Sequence, residues 1–322
     1  MEWSACRAIG VLRGPNAQPE RNDVPDTPML QTAAGPCPAF EVLEPAVQRV
    51  PLVFCSPHSG RVYPSAFLES SRLGGDAIRR SEDLFVDHLF DFVPALGAPL
   101  QLARFPRAYL DVNREPYELD PRMFAEALPS YANTASVRVA GGLGTIPRIV
   151  AEREDIYRDK LSLAEGLERI EGIYRPFHET LAELLRRTRE RFGIAILVDC
   201  HSMPSTVRAL PGGRRPDMVV GDRYGTSASS RIVQLVAGGL ADLGYDVMRN
   251  KPYAGGYITE RYGRPSSGIH ALQIEINRGL YADEARFVPD EGFDTLRAAL
   301  MMFVTRLAAE IEADLGFAAA AE

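Results

Sequence analysis

Three strand-like runs in this chain end in, or carry, side chains suited to metal and proton chemistry. "LVFCSPHSG" delivers His58, "ILVDCHS" delivers Asp199, Cys200 and His201 together, and "LQIEINR" carries Glu275, Asn277 and Arg278. In open α/β sheets, ligands bind outside the carboxyl ends of the strands, and neutral imidazole is the commonest metal ligand. Parallel neighbouring strands would bring both histidines to one rim. A catalytic zinc takes three protein ligands and leaves the fourth position to water, so a third ligand is needed. "SEDLFVD" offers Glu82 and Asp83 near the start of a predicted helix. Zinc lowers the pKa of its water to about 7, after which a carboxylate such as Glu275 can take the proton and pass it to a leaving amine. That set describes an amide hydrolase.

Each residue also has a plainer reading. A strand-end histidine can simply be hydrogen-bonded, and Glu275, a charge that is costly inside a strand unless paired, can sit in a buried ion pair with Arg278 or Arg114. His88 and His178 fall on helical stretches, where packing or capping explains them. His270, just before a strand, is either a substrate contact or a loop hydrogen-bond donor. Arginine binds carboxylates through paired donors in a fixed fork. "ARFPRAYLDVNREP" with Arg104, Arg107 and Arg114, and "ITERYGRP" with Arg261 and Arg264, therefore suit an acidic small molecule, although Asp111, Glu115 and Glu118 are available as structural partners. Gly255 and Gly256 permit unusual backbone angles or close approach to a ligand, and their segment reads as a loop over the site. Cys200 points to the opposite face of its strand from His201 and reads as a small core residue rather than a nucleophile. There is no G-x-S-x-G elbow, P-loop or G-x-G-x-x-G after a strand.

The elements that must position these groups alternate between strand and helix. Predicted strands end at Cys55 and cover "APLQLARF", "AYLDVN", "IAILVDC", "PDMVVGD", "YDVMRN" and "ALQIEIN". Predicted helices cover 77–96, about 164–191 (stopped by Gly193), about 229–243 and about 293–315. The class is α/β, with a mixed, mostly parallel sheet covered by helices on both faces. Residues 1–38, rich in proline and without sustained period, read as a poorly ordered leader to a single catalytic domain over 39–318.

The 322 residues are 46% hydrophobic and 25% charged, with a formal net charge of -7. That balance gives no reason to expect nucleic acid or an anionic membrane as partner. Four scattered cysteines, no bilayer-length apolar run and no signal-like N-terminus point to the cytoplasm.

"PHSG" at 57–60, "ED" then "VD" at 82–87, "YLDVNR" at 109–114, "DCHSMPS" at 199–205, "GDRYG" at 221–225, "PYAGGYITERYGRP" at 252–265 and "HALQIEINRGLY" at 270–281 together resemble the N-formylglutamate amidohydrolase family. The resemblance implies a fold similar to zinc carboxypeptidases (phosphorylase/hydrolase-like) and a Zn2+ or other divalent metal. It implies release of formate from N-formyl-L-glutamate, as in histidine degradation. It further implies metal ligation by His58, His201 and an acid in "SED", with Glu275 as the catalytic glutamate. Zinc carboxypeptidases carry their acidic ligand three residues after the first histidine, where Arg61 stands here, so the acid comes from elsewhere and Asp83 is preferred. Arg107, Asn113, Arg114, Gly256, Arg261 and His270 are the candidate contacts to an acidic N-acyl amino acid. Alternatives are a carboxypeptidase-like or N-acyl deacylase activity on larger substrates, or a binding protein that keeps the fold.

Overall fold

The computed structural model describes residues 27–151, 154–207, 213 and 215–320. Its strands are β1 (Met29–Thr32), β2 (Gly35–Pro38), β3 (Phe40–Leu43), β4 (Leu52–Ser56), β5 (Leu100–Ala103), β6 (Ala195–Met203), β7 (Met218–Gly221), β8 (Val247–Arg249), β9 (Ile269–Asn277), β10 (Ala282–Asp283) and β11 (Val288–Pro289). Its α-helices are α1 (Ser65–Ser70), α2 (Val86–Leu89), α3 (Val137–Ala140), α4 (Leu163–Arg169), α5 (Arg175–Phe192), α6 (Ser230–Ala241), α7 (Tyr257–Tyr262) and α8 (Phe293–Ala320). None of the described helices is long and apolar enough to cross a membrane.

The chain divides into two compact units. The first comprises residues up to Glu41, Gly60–Glu82 and Ala103–Thr180; the second comprises Val42–Ser59, Asp83–Leu102 and the chain from Leu181 onward. Met29–Thr32 pairs antiparallel with Gly35–Pro38, and Leu30 and Cys37 are buried; the expected leader's residues 1–26 lie outside the described residues.

The seven-stranded sheet, built chiefly in the second unit, has the order β3-β5-β4-β6-β9-β7-β8. β4 runs parallel to β5 and β6, β6 to β9, and β7 to β8, while β7 is antiparallel to β9. The mixed, mostly parallel sheet is thus present. Its strands read as continuous apolar runs because both faces are covered. Leu52, Phe54, Ile196, Val198, Cys200, Met218, Val220, Leu272, Ile274 and Ile276 project into a core completed by α2, α6 and α8, with Phe303, Val304 and Leu307 from the last. Cys200 is therefore a core residue, as its strand parity implies. On the other face, α7 packs against β6 and β9, and this face carries His201 and Glu275, which are register partners.

Two predicted elements differ. The segment 77–96 is not one amphipathic helix: it breaks into a 3₁₀ turn at Ala77–Ser81, the single turn α2 and a second 3₁₀ turn at Val93–Leu96. Phe85 takes a left-handed φ of 56°, and the Asp83 N–H goes to the His58 carbonyl at 3.0 Å instead of into a helix. "AYLDVN" is not a strand but a series of turns. The Tyr109 N–H bonds back to Pro106 O, and the Asp111 carboxylate accepts the Asn113 N–H, a local side-chain bond that competes with sheet pairing. The helical block at 164–191 forms as α4 and α5 joined by a π turn at Ile170–Tyr174. Gly193, at φ 76°, ends it.

Candidate metal centre

β4 ends at Ser56, and His58 stands two residues beyond, on the bend that leaves the sheet rim; it is 1% exposed. β6 is parallel to β4 and longer than the sequence suggests: it continues through His201 and Ser202 to Met203, so His201 lies within the strand rather than after it. The imidazole rings of His58 and His201 come to 4.8 Å between centroids. Asp83 enters between them. Its Oδ2 lies 2.9 Å from His201 Nδ1 and 3.6 Å from His58 Nδ1. One ligand atom from each of His58, Asp83 and His201 can be chosen so that all lie within 4.8 Å of one another, with all three residues buried.

The choice between Glu82 and Asp83 is decided by neighbouring side chains. Glu82 accepts from Tyr63 Oη at 2.7 Å and from Arg79 at 3.0 to 3.3 Å, so its carboxylate is engaged there. Asp83 keeps Oδ2 on the histidines because Arg278 Nη2 donates to Oδ1 at 3.1 Å. Arg278 is itself held by Nε donating to Ser202 Oγ at 2.9 Å, and Tyr281 Oη donates to Leu84 O at 2.7 Å, which fixes the backbone next to Asp83. Arg278, suggested by the sequence as a partner for Glu275, is thus a partner of Asp83. Sequence reasoning left Asp199 without a role. It is fully buried, shares a strand face with His201 by the period of two, and places Oδ2 3.0 Å from His201 Nε2.

Burial alone would lower the His201 imidazole, but the charge and hydrogen bond of Asp199, together with those of Asp83, push it well above the ordinary histidine value. Burial would raise the Asp83 carboxyl, yet hydrogen bonds from His201 and His58 hold it well below the usual carboxylate range. Both directions express one fact: two buried carboxylates, partly offset by Arg278, draw positive charge to the point between the rings. Two imidazole nitrogens and a carboxylate oxygen are the donor set of a catalytic divalent-metal site. Asp199 behind Nε2 is the outer carboxylate such a histidine typically uses to fix its tautomer. The residues fit a metal ion, and this trio can hold one. The neighbouring thiols are no rival nucleophiles: burial, then the Asp199 charge, pushes Cys55 and Cys200 well above the ordinary thiol value.

Glu275 lies opposite His201 in the register of β6 and β9, 7% exposed, and its Oε1 accepts from Gln273 Nε2 at 2.7 Å. The other candidates divide. His270 is the second residue of β9 rather than preceding it, at the end away from Asn277. It lies five positions before Glu275, about 16 Å at roughly 3.3 Å per residue. Its Nδ1 accepts the Ser229 N–H at 3.1 Å, a hydrogen bond at the start of α6. Gly256 gives its N–H to Gln273 Oε1 at 2.9 Å and sits at the start of α7. Arg261 is exposed on α7, with its Nη1 3.1 Å from Tyr257 Oη and its guanidinium over the Tyr257 and Tyr262 rings. In the first unit, Arg107 Nε donates to Asp111 Oδ2 at 2.9 Å, and Arg114 Nε lies 3.6 Å from the same oxygen and donates to Leu143 O. Burial brings Arg114 down to about 10. Buried Asp111 ties these arginines and the Asn113 N–H into one turn, which is the structural ion pair rather than the strand-end placement expected.

Residues 50–282 match the family model described as N-formylglutamate amidohydrolase. An N-formylglutamate deformylase of Pseudomonas putida is 32% identical over 244 residues, covering 73% of this chain and 83% of that one. A second, from Pseudomonas aeruginosa, is 32% identical over 251 residues, covering 76% and 86%. The crystal structure of an N-formylglutamate amidohydrolase from Ralstonia eutropha JMP134 superposes with a TM-score of 0.81 at 35% identity, covering 86% of this chain and 99% of that one. The match spans β4, β6 and β9 and with them the buried histidine–aspartate centre, and the chain belongs to the N-formylglutamate amidohydrolase family.

Proposed function

We propose that this protein is a metal-dependent amidohydrolase that cleaves the formamide bond of N-formyl-L-glutamate, or of a closely related acidic N-acyl amino acid, releasing formate and the free amino acid. The observation that carries the reading is the buried meeting of His58, Asp83 and His201 at the rim of the sheet, and the deformylase relatives support the substrate class. In this reading His58, Asp83 and His201 would hold the ion, while Asp199 and Arg278 fix the orientation of His201 and Asp83. A bound Zn2+ or similar divalent ion supplies Lewis acidity, polarising a carbonyl and acidifying water.

The rest falls to this chain's side chains. Glu275 takes a proton from the attacking water as its oxygen adds to the formyl carbon. It returns that proton to the amino nitrogen as the C–N bond breaks, so that formate and the amine leave with atoms balanced. Its site within a covered sheet face limits competing water. For the substrate's carboxylates the candidate guanidinium fork is Arg261, exposed on α7 in the unit that carries the metal centre. Asn113 and Arg114 serve the Asp111 turn in this reading.

The test is a purified preparation assayed for bound metal and for formate release across N-formyl, N-acetyl and larger N-acyl glutamates. The expected result is one equivalent of divalent metal, loss of turnover on chelation, recovery on adding zinc, and preference for formyl. Full activity in a metal-free preparation would overturn the mechanism; preference for bulky acyl groups would overturn the substrate.

A further inference from the structure

Gln273 lies two residues before Glu275 on β9, so both project from the same face of the strand. They are 5% and 7% exposed, and Gln273 Nε2 lies 2.7 Å from Glu275 Oε1. The other end of the same amide, Oε1, accepts the Gly256 N–H at 2.9 Å. A backbone N–H can only donate, so the atom facing Gly256 must be the amide oxygen, which leaves Nε2 to donate to the carboxylate. The orientation of Gln273 is therefore dictated from the loop side.

That loop is itself pinned. Ala254 O accepts the Arg223 N–H at 2.7 Å, and Thr259 Oγ1 donates to Gly256 O at 2.8 Å. Gly255 sits at φ +116°, where a Cβ would lie 2.5 Å from Thr259 Oγ1. Gly221 of β7 passes so close beneath that its Cβ would fall 2.7 Å from Ala254 C and Gly255 N. Glycines at 221 and 255 thus let the loop settle onto the sheet with the Gly256 N–H aimed at Gln273.

We infer that Gln273 is a positioning residue that clamps the Glu275 carboxylate to the Gly255–Gly256 loop, holding Oε1 in place and so fixing the orientation from which Glu275 transfers a proton. The inference rests on the reading of Glu275 as the proton-transferring group. Removing a charge-assisted hydrogen bond from a buried carboxylate loosens its orientation, and a misplacement of about 1 Å in a catalytic group can cost about a hundredfold in rate.

The experiment is a double-mutant cycle on the metal-loaded protein: Gln273→Met, nearly isosteric but without donor or acceptor, Glu275→Gln, and the pair together, with kcat and KM for N-formyl-L-glutamate, metal content and melting temperature measured for each. Expected for Q273M is a fall in kcat of about 10- to 100-fold, with KM and metal stoichiometry unchanged within about twofold. In the E275Q background, adding Q273M changes residual kcat by less than about twofold, because a positioning residue acts only through the group it positions. If Q273M does not fold, Gln273→Glu, which keeps an acceptor for the Gly256 N–H but loses the donor to Glu275, carries the same comparison and should lose at least as much. Wild-type kcat in the folded Gln273 variant, or an equal loss in both backgrounds, overturns the inference. Wild-type turnover in E275Q alone overturns instead the reading of Glu275.

Discussion

Replacing Asp199 by alanine should weaken zinc binding while leaving the three ligands in place. His201 is bracketed, with Nδ1 2.9 Å from Asp83 Oδ2 and Nε2 3.0 Å from Asp199 Oδ2. For Nδ1 to offer a lone pair to an ion, the proton must reside on Nε2, and Asp199 is the carboxylate placed to receive it. Asp199 is fully buried, so its removal takes away a charge-assisted hydrogen bond that water cannot readily replace. Such a bond contributes about 1.5–3 kcal/mol. At about 1.4 kcal/mol per decade this becomes zinc affinity about 10- to 100-fold weaker, the range found for outer carboxylates on metal-bound histidines. Asp199→Asn keeps an acceptor oxygen without the charge; neutral hydrogen bonds are about half as strong, so its loss should be about 3- to 10-fold. The assay is competition with a chromophoric chelator at fixed pH on protein shown to be folded by its melting curve. D199A binding zinc within about twofold of the parent, or D199N binding more weakly than D199A, would refute the reasoning.

Three further outcomes follow from the packing and electrostatics. Burial lowers the His270 imidazole below its ordinary value, and its Nδ1 must be bare to accept the Ser229 N–H. The unfolded chain therefore takes up this proton first, and stability declines as pH falls from about 6.5 through the folded-state value; urea unfolding at several pH values should show this component, and His270→Gln should remove it. Gly60→Ala should destabilise the protein by about 1–3 kcal/mol or more, because the new Cβ would lie 2.1 Å from the Phe105 carbonyl oxygen; a denaturation midpoint equal to the parent's would contradict the backbone packing described. Phe303→Ala, at a residue 1% exposed in the core beneath the sheet, should cost about 3–5 kcal/mol, readable as a lowered denaturation midpoint with metal content preserved.

The sequence carried the class of this fold because its signals are local. Apolar runs too short for buried helices, bounded by turn residues, marked β4, β6, β7 and β9. Gly193 marked the end of α5 because its φ of 76° suits a residue without a side chain. The chemistry of the donors was legible too: a histidine just past each of two strand-like runs, at positions that parallel pairing brings to one rim. The parity of Cys200 and His201 alone was enough to send one to the core and the other to the site.

What the sequence could not decide was everything set by contacts between distant segments. Helical periodicity over 77–96 competes with the pull of the sheet rim, and the rim prevails: Phe85 turns left-handed and the Asp83 N–H bonds His58 O. Nothing local separates Glu82 from Asp83. The difference comes from Tyr63 and Arg79 on one carboxylate and Arg278, nearly two hundred residues along, on the other. Asp199 and Gln273 look like ordinary polar residues in strands until the register sets each beside a neighbour two positions away on the same face and closes that face with a loop. Alternation along a strand is written in the chain itself, so one-dimensional reasoning finds which side chains share a face. Which of them meet is fixed only when the sheet pairs and its loops pack, since a hydrogen bond of about 3 Å depends on coordinates that sequence spacing does not contain.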